Sequence, residues 1–271
     1  MDPLDAEFAA VLQRFPLSQT YAAGPDEYLE HLRRVKAAVR VPVIASLNGM
    51  TGESWLKFAF DIEKAGADAL ELHMDQITID PHTSGMAVEA RIRDVVLELC
   101  RGMKIPIAVK LTPFYTAFAS LALQLDTAGA GGLVLFSRFS HPDLDLRDLT
   151  VVPRVTLSNS SELLLRLHWV AVLYSRVRAS LAIAGGVATP EDGIKAVLVG
   201  SDAVQMVSAI FRNDPTYFTV MRDGFTRWAE SQRLASIKDV RGRMSLQHTA
   251  DPTLYERANY LRTLQSRIGR Q

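Results

Sequence analysis

Residues 180–210 read SLAIAGGVATPEDGIKAVLVGSDAVQMVSAI, and this stretch decides the fold. The apolar run Ser180–Ala184 stops at Gly185-Gly186. Thr189-Pro190-Glu191-Asp192 then opens a helix, with proline at the first helical position and acids where the helix dipole favours them. Gly200 falls where a helix C-cap wants positive φ, and a second apolar run, Ala203–Val207, follows at once. Strand, helix and strand in this order make a βαβ unit. Near-continuous apolar strands fit a parallel sheet covered by helices.

Outward from this stretch the unit recurs. Further strands are predicted at Val41–Leu47, Ala69–His73, Pro106–Leu111 and Gly132–Phe136. The turns Lys64-Ala65-Gly66-Ala67-Asp68 and Thr127-Ala128-Gly129-Ala130-Gly131 repeat the glycine C-cap of Gly200. Alternation of this kind gives an open doubly wound sheet or a closed barrel. No G-x-G-x-x-G follows the first strand, and polar or glycine residues mark the strand ends: Asn48, His73, Lys110, Ser137, Gly185-Gly186 and Ser208. A barrel brings such ends to one site. The sequence therefore reads as α/β, a single (β/α) TIM-type barrel domain over residues 1–271, incomplete, with six of eight βα units. Residues 1–40 read as a helical segment (Glu7–Phe15 and Pro25–Val39). Residues 142–161 read as a lid-like insertion holding a ribbon at Val151–Leu157, and 237–271 as a helical tail.

The 271 residues are 48% hydrophobic and 22% charged, enough for a sizeable core. Thirty basic residues balance thirty acidic ones, so no global field gathers nucleic acid or an anionic membrane, and phosphate recognition must be local. There is no eighteen-residue apolar run and no signal-peptide pattern, which makes the cytoplasm the expected compartment. Cys100, the single cysteine, sits on the apolar side of a helix and reads as core. No metal-ligand spacing appears.

Gly185-Gly186 and Ser208 follow the last two strands, where barrels bind phosphate with backbone N–H groups and a helix N-terminus. Lys110 ends its strand pointing inward, a position that calls for an anion, an electron-rich ring or a carbonyl captured as a Schiff base. Asn48 and His73 are placed to orient a small-molecule ligand.

Several segments together resemble the dihydroorotate dehydrogenase-like FMN flavoproteins. They are Val43-Ile44-Ala45-Ser46-Leu47-Asn48-Gly49, Ala65–Leu72, Val109-Lys110-Leu111-Thr112-Pro113-Phe114, Gly132–Phe136, Gly185-Gly186-Val187 and Ser236–Gly242. The resemblance implies an FMN-dependent oxidoreductase acting on a dihydropyrimidine carboxylate in pyrimidine metabolism. Lys110, Ser137, Gly185, Gly186 and Ser208 would then be cofactor-binding, and Asn48 and His73 substrate-binding. This chain departs from the family at His73 and Ser137, where asparagines are usual, and lacks an evident cysteine or serine base after His73. Asp75, Thr78 or Ser84 would have to serve, Asp75 first. The family's first two strands would precede residue 1, leaving two open sheet edges and predicting self-association or a partner chain that completes the barrel. A non-catalytic barrel fragment and a Schiff-base aldolase using Lys110 are the rival readings.

Overall fold

The computed structural model describes residues 24–48, 53–74, 77–138, 141–154, 156–256 and 265. Its order is α1 (Pro25–Ala38), β1 (Ile44–Asn48), α2 (Glu53–Lys64), β2 (Ala69–His73), α3 (Gly85–Gly102), β3 (Ile107–Leu111), α4 (Phe118–Ala128) and β4 (Gly132–Leu135). A hairpin follows, β5 (Pro142–Asp145) and β6 (Thr150–Pro153). Then come α5 (Leu163–Leu173), β7 (Ser180–Ala184), α6 (Pro190–Val199), β8 (Ala203–Gln205), α7 (Ser208–Asn213), α8 (Tyr217–Ser231) and α9 (Thr253–Glu256). Among the described residues, six parallel strands curl into one sheet in the order β1-β2-β3-β4-β7-β8, an incomplete TIM-type barrel. The expected helix at Glu7–Phe15 lies outside the described residues.

Several strand ends differ from the expected ones. β1 starts at Ile44 because Pro42 has no N–H, and the Val43 N–H donates to the Asp68 carboxylate at 2.6 Å. β8 stops at Gln205, since Val207 already takes helical angles and leads into α7. The two faces of the sheet also differ. Leu70, Leu72, Val109, Leu111, Leu133, Leu135 and Ile183 are fully buried under the helices. The concave row is small or polar and partly open, as with Ser46, Ala108, Lys110 and Gln205. Only β4, buried along its whole length, is covered on both faces as the apolar runs suggested; the outer strands open partly on the concave side.

The repeated turns carry the register. Gly66 and Gly200 adopt φ of 98° and 119°, and the aspartate two residues later reaches back across the sheet. Asp68 accepts from Val43 N–H, and Asp202 accepts from Leu181 N–H at 2.9 Å. Each aspartate also pairs with a cation from a flanking segment, Lys36 of α1 and Arg241 of the tail. α6 opens with the expected cap: Thr189 and Asp192 form a reciprocal capping box.

The β1 edge is not bare. Tyr28 of α1 donates its hydroxyl to Ser46 C=O and accepts from Ser46 N–H, both at 3.1 Å. One phenol thereby satisfies a donor and an acceptor that a neighbouring strand would otherwise take.

Where the sequence suggests a helical tail, residues 237–256 are mostly turn, with a 3-10 turn at Ile237–Asp239 and the single turn of α9. Its amides instead reach carbonyls near the ends of two core helices. Gly242 N–H donates to Val197 C=O at 3.0 Å, Met244 to Leu198 at 2.8 Å and Leu246 to Ala171 at 3.0 Å. These acceptors lie in the last turns of α6 and α5, where helix carbonyls run short of ordinary donors; Val197 C=O also accepts from Gly200 N–H at 2.9 Å. The Tyr174 ring fills the angle between Gly200 and Gly242, and its hydroxyl donates to Arg241 C=O at 3.2 Å.

Candidate functional site

Four side chains meet on the concave face. The register aligns Ser46 with Glu71 and His73 with Lys110, so residues two apart on neighbouring strands share that face. Lys110 Nζ lies 3.2 Å from Glu71 Oε1 and donates to Gln205 Oε1 at 2.9 Å. Gln205 Nε2 donates to the other Glu71 oxygen, and Ser46 Oγ donates to Oε1 at 3.2 Å. Glu71 is only 6% exposed, and both of its oxygens are taken up by these partners. The Lys110 head is fixed from two sides.

Beside this cluster, a cavity of about 270 Å³ is bounded by Lys110, Phe136, Leu157, Gly185, Gln205 and Ser208, among others. Gly185 and Gly186 have φ of 81° and 80°, closed to ordinary residues. The Gly186 N–H donates to Ser158 Oγ at 3.3 Å, and Ser158 N–H donates to Ser208 Oγ at 2.9 Å. The two serine hydroxyls are 3.0 Å apart. Arginines hold this stretch down: Arg212 donates to Ser158 C=O at 2.5 Å and Leu157 C=O at 3.1 Å, and Arg138 donates to Thr156 and Glu162. Behind Gly185, Arg166 is 6% exposed and donates to Ala184 C=O and Glu162 C=O. Burial pushes its guanidinium below its ordinary value; Glu162 opposes that shift and Arg138 adds to it.

A second cavity, about 460 Å³, opens at the same end of the sheet between the loops after β2 and β3 and the first turn of α3. Thr78, Thr83, Thr112, Tyr115 and His141 line it. Thr78 Oγ1 is buried with no hydrogen-bond partner among the described residues. Ser84 does not share that freedom, because its Oγ caps α3 by accepting from Ala87 N–H at 3.2 Å.

Of the residues singled out from sequence, Lys110, Gly185 and Ser208 share the smaller cavity, and Gly186 lies against its wall. Asn48 and His73 stand side by side at the ends of β1 and β2. Ser137 is 4% exposed and does not line that cavity. Asp75 lies outside the described residues.

A family model described as dihydroorotate dehydrogenase matches residues 20–228. The chain belongs to the dihydroorotate dehydrogenase family. It is 28% identical over 233 residues to a Pyrococcus abyssi protein named dihydroorotate dehydrogenase B (NAD(+)), catalytic subunit, with 81% of this chain and 74% of that one covered. A protein of the same name from Thermoplasma acidophilum is 24% identical over 229 residues, covering 81% and 73%.

Within this dihydroorotate dehydrogenase family member, Glu71, Gln205, Ser158, Arg138 and Arg212 belong to or support the candidate site, and sequence reading did not single them out. Glu71 and Gln205 left a usable signal, each being the polar residue inside an otherwise apolar strand (ALELH and AVQMV). Ser158 and the arginines left none, since only the fold brings residues 156–158 back over the strand ends. Gly186 proves to be constrained by the core as well: a Cβ there would stand 2.7 Å from Leu163 N, so Gly186→Val disrupts α5 before it touches a ligand. Cys100 is half-buried against the core, and burial pushes its thiol up, away from the reactive thiolate. Among the described residues no helix is long and apolar enough to cross a membrane, and no group of three metal-binding side chains occurs.

Proposed function

We propose that the chain is a flavin-dependent oxidoreductase of dihydroorotate dehydrogenase type, binding FMN and oxidising the CH–CH bond of a dihydropyrimidine carboxylate. One observation carries the reading: a lysine held in place by Glu71 and Gln205 borders the same cavity as the Gly185 and Ser208 cradle. The donor set fits the cofactor. Gly186 N–H, two serine hydroxyls and nearby guanidiniums suit a phosphate monoester, and the Lys110 ammonium with the Gln205 amide suits the polar edge of a flavin ring. The cavity is slightly smaller than the usual ligand range of about 300–1,000 Å³. The Ser158–Ser208 contact closes the cradle, so residues 156–158 are the part that yields as phosphate enters. That gives the 142–161 insertion the role of a cover.

When bound, the flavin supplies the hydride acceptor. The chain's own residues do the positioning: Lys110 presents a fixed positive charge, and Asn48 and His73 orient the substrate from adjacent strand ends. Asp75 follows that row directly in sequence and is the candidate for proton removal, with the Thr78 hydroxyl nearby in the same loop. The Schiff-base alternative fits less well. Attack on a carbonyl needs a free amine lone pair, whereas the Lys110 head is engaged by a carboxylate and a carboxamide.

Quenching of flavin fluorescence on titration with the purified chain tests this. Lys110→Met and Ser208→Ala are each expected to weaken FMN binding by roughly tenfold or more, the value of a charge-assisted hydrogen bond. Cys100→Ser should leave it unchanged. A wild-type chain that ignores FMN, or equal affinity in all four proteins, refutes the assignment and leaves the non-catalytic reading.

Oxidation of dihydroorotate by the flavin-loaded chain is expected to be slow. A missing positioned base typically costs about two to four orders of magnitude. Anaerobic loss of the oxidised flavin's visible absorbance on adding dihydroorotate measures it. A rate in the ordinary range of about 1–1,000 per second would show that Asp75 or its neighbours work as a full base.

A further inference from the structure

The Lys110–Glu71 ion pair has one member on the smaller cavity and one withdrawn from it. Lys110 and Gln205 line that cavity, whereas Glu71 is buried and does not. An ammonium carries three N–H donors. Glu71 Oε1 at 3.2 Å and Gln205 Oε1 at 2.9 Å take two of them, which leaves one for whatever enters. Gln205 closes the ring, since its Nε2 donates to Glu71 Oε2, and Ser46 Oγ donates to Oε1 at 3.2 Å. The Gln205 amide cannot turn over without setting N–H against the ammonium. β2 and β8 are not neighbours in the sheet, so the cluster reaches across the concave face. Packing alone does not call for it. A lysine at a partly open strand end can send its head into water, and a buried carboxylate is costly to the fold unless paired.

We propose that Glu71 sets the reduction potential of the bound flavin by offsetting the charge of Lys110. The inference rests on the FMN reading above. Uptake of two electrons and one proton leaves a negative charge on a flavin ring, and fixed charges beside the ring tune that step. A lone ammonium on the cavity wall would favour the reduced ring strongly. With a carboxylate oxygen 3.2 Å from Nζ, the ring instead meets a nearly neutral pair, and its potential stays lower. Glu71 is thus a positioning residue. It does not border the cavity, yet it decides how much of the lysine's charge is felt there.

Reduction of the FMN-loaded full chain at equilibrium with a reference dye of known potential measures this, flavin and dye being followed by absorbance. Glu71→Gln removes the charge. It is expected to raise the affinity for reduced over oxidised flavin by about tenfold or more, the scale of a unit charge across a partly buried site. Tenfold is an upward shift of about 30 mV for a two-electron couple. The exchange Glu71→Gln/Gln205→Glu keeps donors matched to acceptors and returns a carboxylate to the cluster. It should bring the potential back to the wild-type value or below. A purely structural Glu71 would alter stability and leave the potential where it was. A Glu71→Gln chain that holds FMN at the wild-type potential therefore overturns the proposal and leaves the FMN reading intact. Should the single variant fail to fold, the exchange variant decides alone, and a potential above the wild type overturns the proposal. A wild type that takes up no FMN overturns both.

Discussion

Replacing Glu71 with alanine is expected to destabilise the protein by about 3 kcal/mol, the lower end of what breaking a buried ion pair costs. The substitution leaves the Lys110 ammonium, with a side chain 19% exposed, facing Gln205 alone, and removes the carboxylate that also holds Ser46. The partly open concave face lets water reach the lysine, which keeps the loss from the higher values. For a chain of this size the fall in Tm is roughly 6–12 °C. The double variant Glu71→Leu/Lys110→Met should recover most of that stability, because an apolar pair of similar volume avoids the desolvation of both charges. It should nonetheless bind FMN as weakly as Lys110→Met alone. Thermal denaturation and flavin titration of the two proteins therefore separate the stabilising part of the cluster from its ligand-binding part. Equal Tm for wild type and Glu71→Ala would mean that the pair contributes nothing to the fold.

Gly242→Val is expected to be at least as damaging, by a different route. A Cβ on Gly242 would lie 2.2 Å from Tyr174 ring carbons, and the residue's φ of 74° is one that a β-branched side chain rarely adopts. Neither neighbour can move cheaply, since Gly242 N–H is tied to Val197 and the Tyr174 hydroxyl to Arg241. Overpacking and backbone strain together cost about 3 kcal/mol or more. Gly85→Ala serves as the control, because nothing lies within 4 Å of a Cβ at that position. Urea denaturation should show a lowered midpoint for Gly242→Val and a near-native one for Gly85→Ala. A native midpoint for the valine variant would mean that the tail does not dock as described.

These two sites also show what could be read from the chain alone. The barrel was legible because its determinants are local: apolar runs of strand length, glycines at Gly66, Gly129 and Gly200, and the proline and acids that start α6. The concave polar cluster was half legible. Lys110 stood out, but its partners lie 39 and 95 residues away in sequence, and no local rule links them. The docking of residues 156–158 against Ser208 was hidden for the same reason. Residues 237–256 of the expected helical tail are mostly turn because their amides bond to carbonyls that only the folded core presents, while the rest of the tail, residue 265 apart, lies outside the described residues. The β1 edge was judged bare because a lone tyrosine in α1 carries no signal that its hydroxyl will stand in for a strand.

The tail's hydrogen bonds to α5 and α6 bear on how the protein is made. Those helices are synthesised well before Gly242, Met244 and Leu246, yet Val197, Leu198 and Ala171 C=O near their ends accept from the amides of these later residues. The sheet can assemble as it leaves the ribosome, but the underside of β7 and β8 stays unlatched until residue 246 has emerged. A chain stalled before Arg241 would lack the cation for Asp202 and the tail amides that reach Val197, Leu198 and Ala171 C=O. Quality-control proteases would then meet a nascent product whose last two βα units open readily, even though every strand of the sheet has been translated.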